Sequence, residues 1–347
     1  VTGPGRPAAA TGTAAPAAPV PQEGERRRAL AGRIGSTQVI YLALAGVMLV
    51  GWVLVALDGG DFLTLETIVG IQQRSAALGI VAVGQTLAIL VGSLDLSVAY
   101  LISLTSLVAA EIMAGQDGGI VPGVAAVLAV SALIGLVNGL VITRLHVHAF
   151  IATLGTALIV KGIVDHLYDG PAGSVPESFQ RLGYDRIGPV PVSALLWAAV
   201  ALAVWFLLRR TRLGYRIYAV GGDEEVARLS GVRTGRIVVA AHILCSVCAG
   251  VAGLLLASRL GAGAPTVGTD GGYDLESIAA VVLGGTALAG GRGGVAGTVG
   301  GVLLLAVLDS VFNQLEVNAF FKDVVRGLVI VVAVAVYARR GARRRSR

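Results

Sequence analysis

Charged side chains are scarce in this chain: Asp, Glu, Lys and Arg make up 14% of its 347 residues, where a soluble globular domain carries about a quarter. Aromatic residues are scarce as well, at 5%. Together these shortages exclude an ordinary soluble globule. Lysine occurs only twice, as Lys161 followed by Gly and Lys322 followed by Asp. A phosphate loop needs G-x-x-x-x-G-K-[ST], with the lysine reaching the phosphates. The cluster GGRGG at Gly290–Gly294 therefore reads as a tight turn, and the chain itself is not expected to be an ATPase.

Cysteine also occurs only twice, at Cys245 and Cys248, with His242 three residues earlier. Structural zinc takes four ligands, and His146, His148 and His166 offer no matching spacing. The cysteines read as small residues packed between helices, with no metal and no cofactor expected. Neither an acid pair nor a nucleophile elbow stands in a catalytic setting, so transport rather than catalysis is expected. Residues 1–38 lack the apolar core of a cleaved signal peptide. Their Pro, Ala, Gly and Thr, followed by Arg, predict a disordered basic tail in the cytoplasm.

What is plentiful is aliphatic: hydrophobic residues reach 55% and glycine alone numbers 49, a mixture suited to membrane helices that approach through small residues. Apolar runs near the ~20 residues of a membrane span lie at 39–57, 67–92, 97–114, 120–142, 149–167, 191–208, 237–258, 275–290, 295–314 and 323–338. They predict an all-α polytopic membrane protein of about ten transmembrane helices, with a permease domain over 39–338 and a basic tail over 339–347. Ten spans place both termini on one side. If that side is the cytoplasm, twenty of the 27 basic residues fall there, the bias of the positive-inside rule. The net charge of +6 thus reports topology, and no nucleic-acid partner is expected.

The longest polar interval is Arg209–Arg236, with seven arginines. Asp223 is placed to cap a short helix, with Glu224 and Glu225 in its first turn, Arg228 four residues after Glu224, and Gly231 able to end it left-handed. Two turns of helix are unstable alone in water, so a partner surface is expected. Outside, the Pro-containing loop Tyr168–Pro191 and the Gly-rich loop Arg259–Asp274 could receive a soluble protein. Ile80–Ser97 and Ile278–Gly294 echo each other as helix, Gly-rich break and helix.

Polar groups within membrane spans are costly and are functional candidates by default. Asp95 and Ser97 begin the third span; Asn138, Thr153 and Thr156 sit in or near later ones; Asp309 and Glu276 are similar cases. Each could contact cargo in a translocation path, cap a helix, or bond a neighbouring helix.

GGDEEVARLSGV from Gly221, then ASRLGAGAPTVGTDGGYDLESIAAVVLGGTALAGGRGGVAGTVGG from Ala257, resemble the permease subunit of bacterial ABC sugar importers of the ribose/xylose/galactose type. VGQTLAILVGSLDLSV, GLVNGLVITRLHVHAFIATLGT and PESF at Pro176–Phe179 resemble the same family in the same order, so the likeness runs from about Phe62 to Tyr337. One departure is GSLDLSVA at Gly92–Ala99, where the family usually reads G-G-I-D-L-S-V-G. The resemblance implies a multi-pass protein of the bacterial cell membrane. Its implied partners are a second permease copy, usually making a homodimer, a separate ABC ATP-binding subunit and an extracytoplasmic sugar-binding protein, besides membrane lipid. It also implies a coupling loop of Gly221, Gly222, Asp223, Glu224, Glu225, Ala227, Arg228, Leu229 and Gly231 that the ATPase moves. A pentose or hexose is the implied cargo, with a nucleoside or sugar-like signal as the alternative within the family. Two rivals come from other classes: an ion-coupled secondary transporter, and a membrane enzyme acting on lipid-linked substrates.

Overall fold

The structure, a computed structural model, describes residues 36–318 and, beyond them, 320–322, 324, 325, 327 and 328. Residues 1–35 of the predicted tail over 1–38, the predicted tail over 339–347 and most of the tenth apolar run lie outside the described residues, while residues 36–38 open the first helix. Among the described residues, thirteen α-helices set the architecture. They are α1 (Ser36–Leu57), α2 (Leu65–Leu90), α3 (Val98–Met113), α4 (Ile120–Arg144), α5 (Ala149–Leu167), α6 (Glu177–Tyr184), α7 (Val192–Arg210), α8 (Arg212–Gly222), α9 (Glu224–Leu229), α10 (Thr234–Leu260), and, after the one-turn α11 (Val267–Asp270), α12 (Tyr273–Leu283) and α13 (Val295–Gln314). The strands are a two-residue hairpin, β1 (Arg186–Ile187) with β2 (Val190–Pro191). The protein is an all-α polytopic membrane protein.

Among the described residues, seven helices are long and apolar enough to cross a membrane: α1, α2, α4, α5, α7, α10 and α13. The third predicted span is the shorter apolar helix α3. The eighth, expected over 275–290, is not a full span. At 11 residues α12 covers about 16 Å of a hydrocarbon layer near 30 Å. Gly290 and Gly291 take positive φ, a region helices do not use, so the rest of that run folds back as a turn.

Helix ends gather on two faces. On one, the Tyr41 hydroxyl donates to the Ala296 carbonyl at 3.0 Å and the Tyr218 hydroxyl to that of Gly293 at 2.9 Å. The Gly291 N–H donates to the Leu90 carbonyl at 3.0 Å. The starts of α1 and α13, the end of α2 and the polar helices α8 and α9 therefore share this face. On the opposite face the two predicted outer loops meet: Ala172 and Gly263 exchange backbone bonds at 2.9 Å, and the Val175 N–H donates to the Gly261 carbonyl. Arg259 ties them inward through the Gln73 carbonyl and the Ser193 hydroxyl.

Between the faces, α2 and α10 form the centre. Every residue of α2 from Ser75 to Leu90 is buried, and α10 packs against α2, α3 and α4. Small residues permit this: a Cβ on Gly135 would sit 2.6 Å from the His242 carbonyl, and one on Gly139 2.6 Å from Val239 Cα, so backbones touch where side chains would intervene. The peripheral helices expose Leu49, Leu133, Ile159 and Leu202, which would be an aggregation liability in water and faces acyl chains in a bilayer.

Candidate functional site

The α2 helix stops at Leu90 and the chain does not resume a helix until Val98. A break in a membrane helix frees backbone groups that lipid cannot satisfy, and here side chains satisfy them. Asp95 is fully buried. Its Oδ1 accepts from the Ser97 N–H at 3.0 Å and from the Ser97 hydroxyl at 2.5 Å, closing a turn just ahead of α3; Ser97 at the N-cap position makes no side-chain cap bond, so the expected cap is not formed. Asn138 donates to the Ser97 oxygen at 2.9 Å, and Thr153 accepts from the Leu96 N–H at 3.1 Å. The Gln85 amide is satisfied with its oxygen accepting from the Asp95 N–H at 3.1 Å and its nitrogen donating to the Asp95 carbonyl at 3.3 Å.

Four of the sequence-predicted path residues, Asp95, Ser97, Asn138 and Thr153, thus form one network, all fully buried. Thr156 does not join it; its hydroxyl returns to the Ala152 carbonyl of its own helix at 3.1 Å. Three members were missed: Gln85, Ser93 and His242. His242 lies 3.3 Å from Asp95 Oδ2 through Nδ1 and 2.7 Å from the Ser93 hydroxyl through Nε2. With Nδ1–H donating to the carboxylate, Nε2 accepts from Ser93, and every donor in the chain points toward Asp95. The signal existed: His242 is an ionisable group inside a membrane span, the criterion that selected Asp95.

Ser93, His242 and Asp95 have the connectivity of a hydrolytic triad. All three are buried, and their bonds lock the break between α2 and α3. His242, Cys245 and Cys248 do not gather around a common point: Cys245 Sγ lies 3.4 Å from the Gln85 amide and Cys248 sits in the apolar core.

On the α8–α9 face the predicted capped helix is present. Asp223 accepts from the Val226 N–H at 3.0 Å, and Gly231 is left-handed at φ 81°. Three expectations need correction. The interval holds two helices, because Thr211 caps α8 through the Gly214 N–H at 3.2 Å. Arg228 approaches Glu225, at 3.8 Å, rather than Glu224; in so short a helix three residues of spacing suffice. Most consequentially, Ala227 faces inward, 4% exposed, in the apolar cluster that also holds Leu87, Leu90, Val220 and Ile237. The short helix therefore rests on its own protein, while Val226 and Leu229 stand out at 58% and 80% exposure.

Gly221, at the end of α8, touches both helix breaks. A Cβ there would overlap the Leu90 carbonyl and reach within 2.6 Å of the Gly291 N; one on Gly290 would lie 2.8 Å from the Gly92 N and 2.9 Å from the Gly221 carbonyl. Backbone meets backbone, so any displacement of α8 bears directly on residues 90–92 and 290–291.

Membrane-length helices, two breaks between helices and a capped polar pair on one face define a polytopic membrane protein. Residues 67–334 match the family described as "Branched-chain amino acid transport system / permease component", and the chain belongs to that family. It is 41% identical over 281 residues to the ribose import permease protein RbsC of Escherichia coli (strain K12), covering 80% of this chain and 87% of that protein. It is 33% identical over 316 residues to the galactose/methyl galactoside import permease protein MglC of Haemophilus influenzae, covering 86% and 92%. With the D-allose transport system permease protein AlsC of E. coli (strain K12) the figures are 36% over 280 residues, 79% and 84%. No solved structure matches the chain.

Proposed function

We propose that the protein is the translocating subunit of an ATP-driven importer for a monosaccharide, paired with a second permease copy. A separate ATP-binding subunit docks on the α8–α9 face, and an extracytoplasmic binding protein delivers cargo to the opposite one. The family description names branched-chain amino acids, but relatives matching about four-fifths of the chain are named for ribose, galactose and allose, which favours a sugar. Both termini, with the tails 1–38 and 339–347, are then cytoplasmic, as the arginine distribution requires.

The observation that carries this reading is the two-sidedness of α9. Its inner face is anchored through Ala227, its outer face offers Val226 and Leu229 to a partner, and the adjoining Gly221 bears on both breaks. Gly221, Gly222, Asp223, Glu224, Glu225, Ala227, Arg228, Leu229 and Gly231 act together as the coupling element. Asp95, Ser97, Asn138 and Thr153 hold a wall of the translocation path in shape; Thr156 belongs to α5 alone.

The test is Leu229→Asp in the full complex reconstituted in vesicles. Because Leu229 is exposed, the permease should stay abundant and inserted, while ATPase copurification and substrate-stimulated ATP hydrolysis fall at least tenfold. Sugar uptake that persists without ATP would overturn the proposal in favour of a secondary transporter. Cysteines placed at Ser178 and Ser230, in a background lacking Cys245 and Cys248, should label from opposite sides of the membrane.

A further inference from the structure

Beside α9, a groove of about 660 Å³ opens between the end of α4 and the start of α10. Arg144, Arg228, Arg233 and Arg236 line it, with Leu140 and Val239 as its apolar wall. Arg228 approaches Glu225 at 3.8 Å, both widely exposed. No ion pair is made by Arg144, Arg233 or Arg236 among the described residues. Four guanidinium groups around one concavity repel each other unless an anion sits among them. Arg233, at the N-cap position of α10, supplies no side-chain cap, so the first N–H groups of a 27-residue helix add positive potential at the same place.

We propose that this groove binds the phosphodiester headgroup of an anionic membrane lipid. Position favours a lipid over a soluble anion. Leu133, Val137 and Leu140 are all exposed on α4, spaced by four and three residues, so they form one stripe along the helix that ends at the groove. An acyl chain on that stripe places its phosphate among the arginines, the arrangement in which basic pockets between membrane helices hold anionic headgroups. Arginine suits the task because its planar fork engages phosphate oxygens in pairs. An acidic segment of a protein partner would use the arginines and leave the stripe unused.

The experiment is native mass spectrometry of the purified full-length permease in detergent, titrated separately with phosphatidylglycerol, phosphatidylcholine and soluble glycerol phosphate. Phosphatidylglycerol should be retained at one molecule per copy and at least tenfold more tightly than phosphatidylcholine, with glycerol phosphate weaker than either. Arg233→Gln/Arg236→Gln should lose the preference, and Arg233→Lys/Arg236→Lys should keep part of it. Arg144→Gln, on a different helix, should weaken it independently and serves if the double variant does not fold. Equal retention by wild type and variants would overturn the proposal. So would glycerol phosphate binding as tightly as the lipid, which points to a soluble anion, or loss of the bound lipid on adding the ATPase subunit, which points to an acidic protein surface.

Discussion

Residues 91–97, between α2 and α3, and 284–294, between α12 and α13, both adjoin Gly221, yet they are built from different materials. In the first, side chains from four helices close on the break: Gln85 of α2, Asn138 of α4, Thr153 of α5 and His242 of α10 all reach it. In the second, backbone and local groups do most of the work, with the Tyr218 hydroxyl on the Gly293 carbonyl and the Leu90 carbonyl on the Gly291 N–H reaching in from elsewhere. The Ala287 N–H donates to the Arg292 carbonyl at 2.9 Å, the Gly294 N–H to the Thr286 hydroxyl at 3.2 Å, and the remaining space is closed by glycine backbone against backbone. The first break is vulnerable to removing a polar group. The second is vulnerable to adding a carbon. A transporter that must move while staying sealed gains from this division, because a side-chain network holds one discrete geometry and a glycine turn can slide.

The largest expected effect is from Asp95→Ala. It strands the His242 Nδ1–H and both Ser97 donors away from water, and removing one partner of a buried charged network costs about 3–5 kcal/mol. Chemical denaturation in detergent should show a loss of that order, with Asp95→Asn intermediate. Unchanged stability would mean the network is not what holds the first break.

Next comes Gly291→Val. Gly291 has φ 70° and its Cβ would meet the Gly222 backbone at 2.7 Å, so strain of about 2 kcal/mol is expected from the left-handed conformation. Its signature is functional: ATP hydrolysis should uncouple from uptake more than stability falls. Removal from the same turn should matter less. Thr286→Val deletes one acceptor of a backbone N–H and should cost about 1 kcal/mol. If Thr286→Val proves as damaging as Asp95→Ala, the two breaks are not built differently.

The smallest effect is expected at Thr156. Its hydroxyl bonds only within its own helix, so Thr156→Val should stay within about 0.5 kcal/mol of wild type. Thr153→Val, which deprives the Leu96 N–H of its acceptor, should cost about 1–2 kcal/mol. Equal losses for the two threonines would place Thr156 in the network after all.

Much was legible before any coordinates. Apolar runs, arginine bias and the capped helix at Asp223 report the partition of each residue between lipid and water, and the local bonding of a few neighbours. These quantities accumulate along the chain and need no knowledge of what packs where. The nomination of Asp95, Ser97, Asn138 and Thr153 rested on the same reasoning, since a polar group in a membrane span must find a partner.

The partners themselves were another matter. His242 stands 147 residues from Asp95 in the chain, and nothing local in either stretch points to the other. Ala227 looked available to a partner because a helix of six residues has no readable inside; only its seat against α8 and α10 decided which face is hidden. The run at 275–290 counted as a span because hydropathy sums side chains. Whether its glycines continue a helix or turn left-handed depends on the backbones of Gly221 and Gly92 lying alongside. Composition and spacing alone determined a polytopic helical membrane protein with a capped polar helix between its spans. The tertiary structure decided where its helices break and what closes each break, because those energies belong to pairs of groups brought together only by folding.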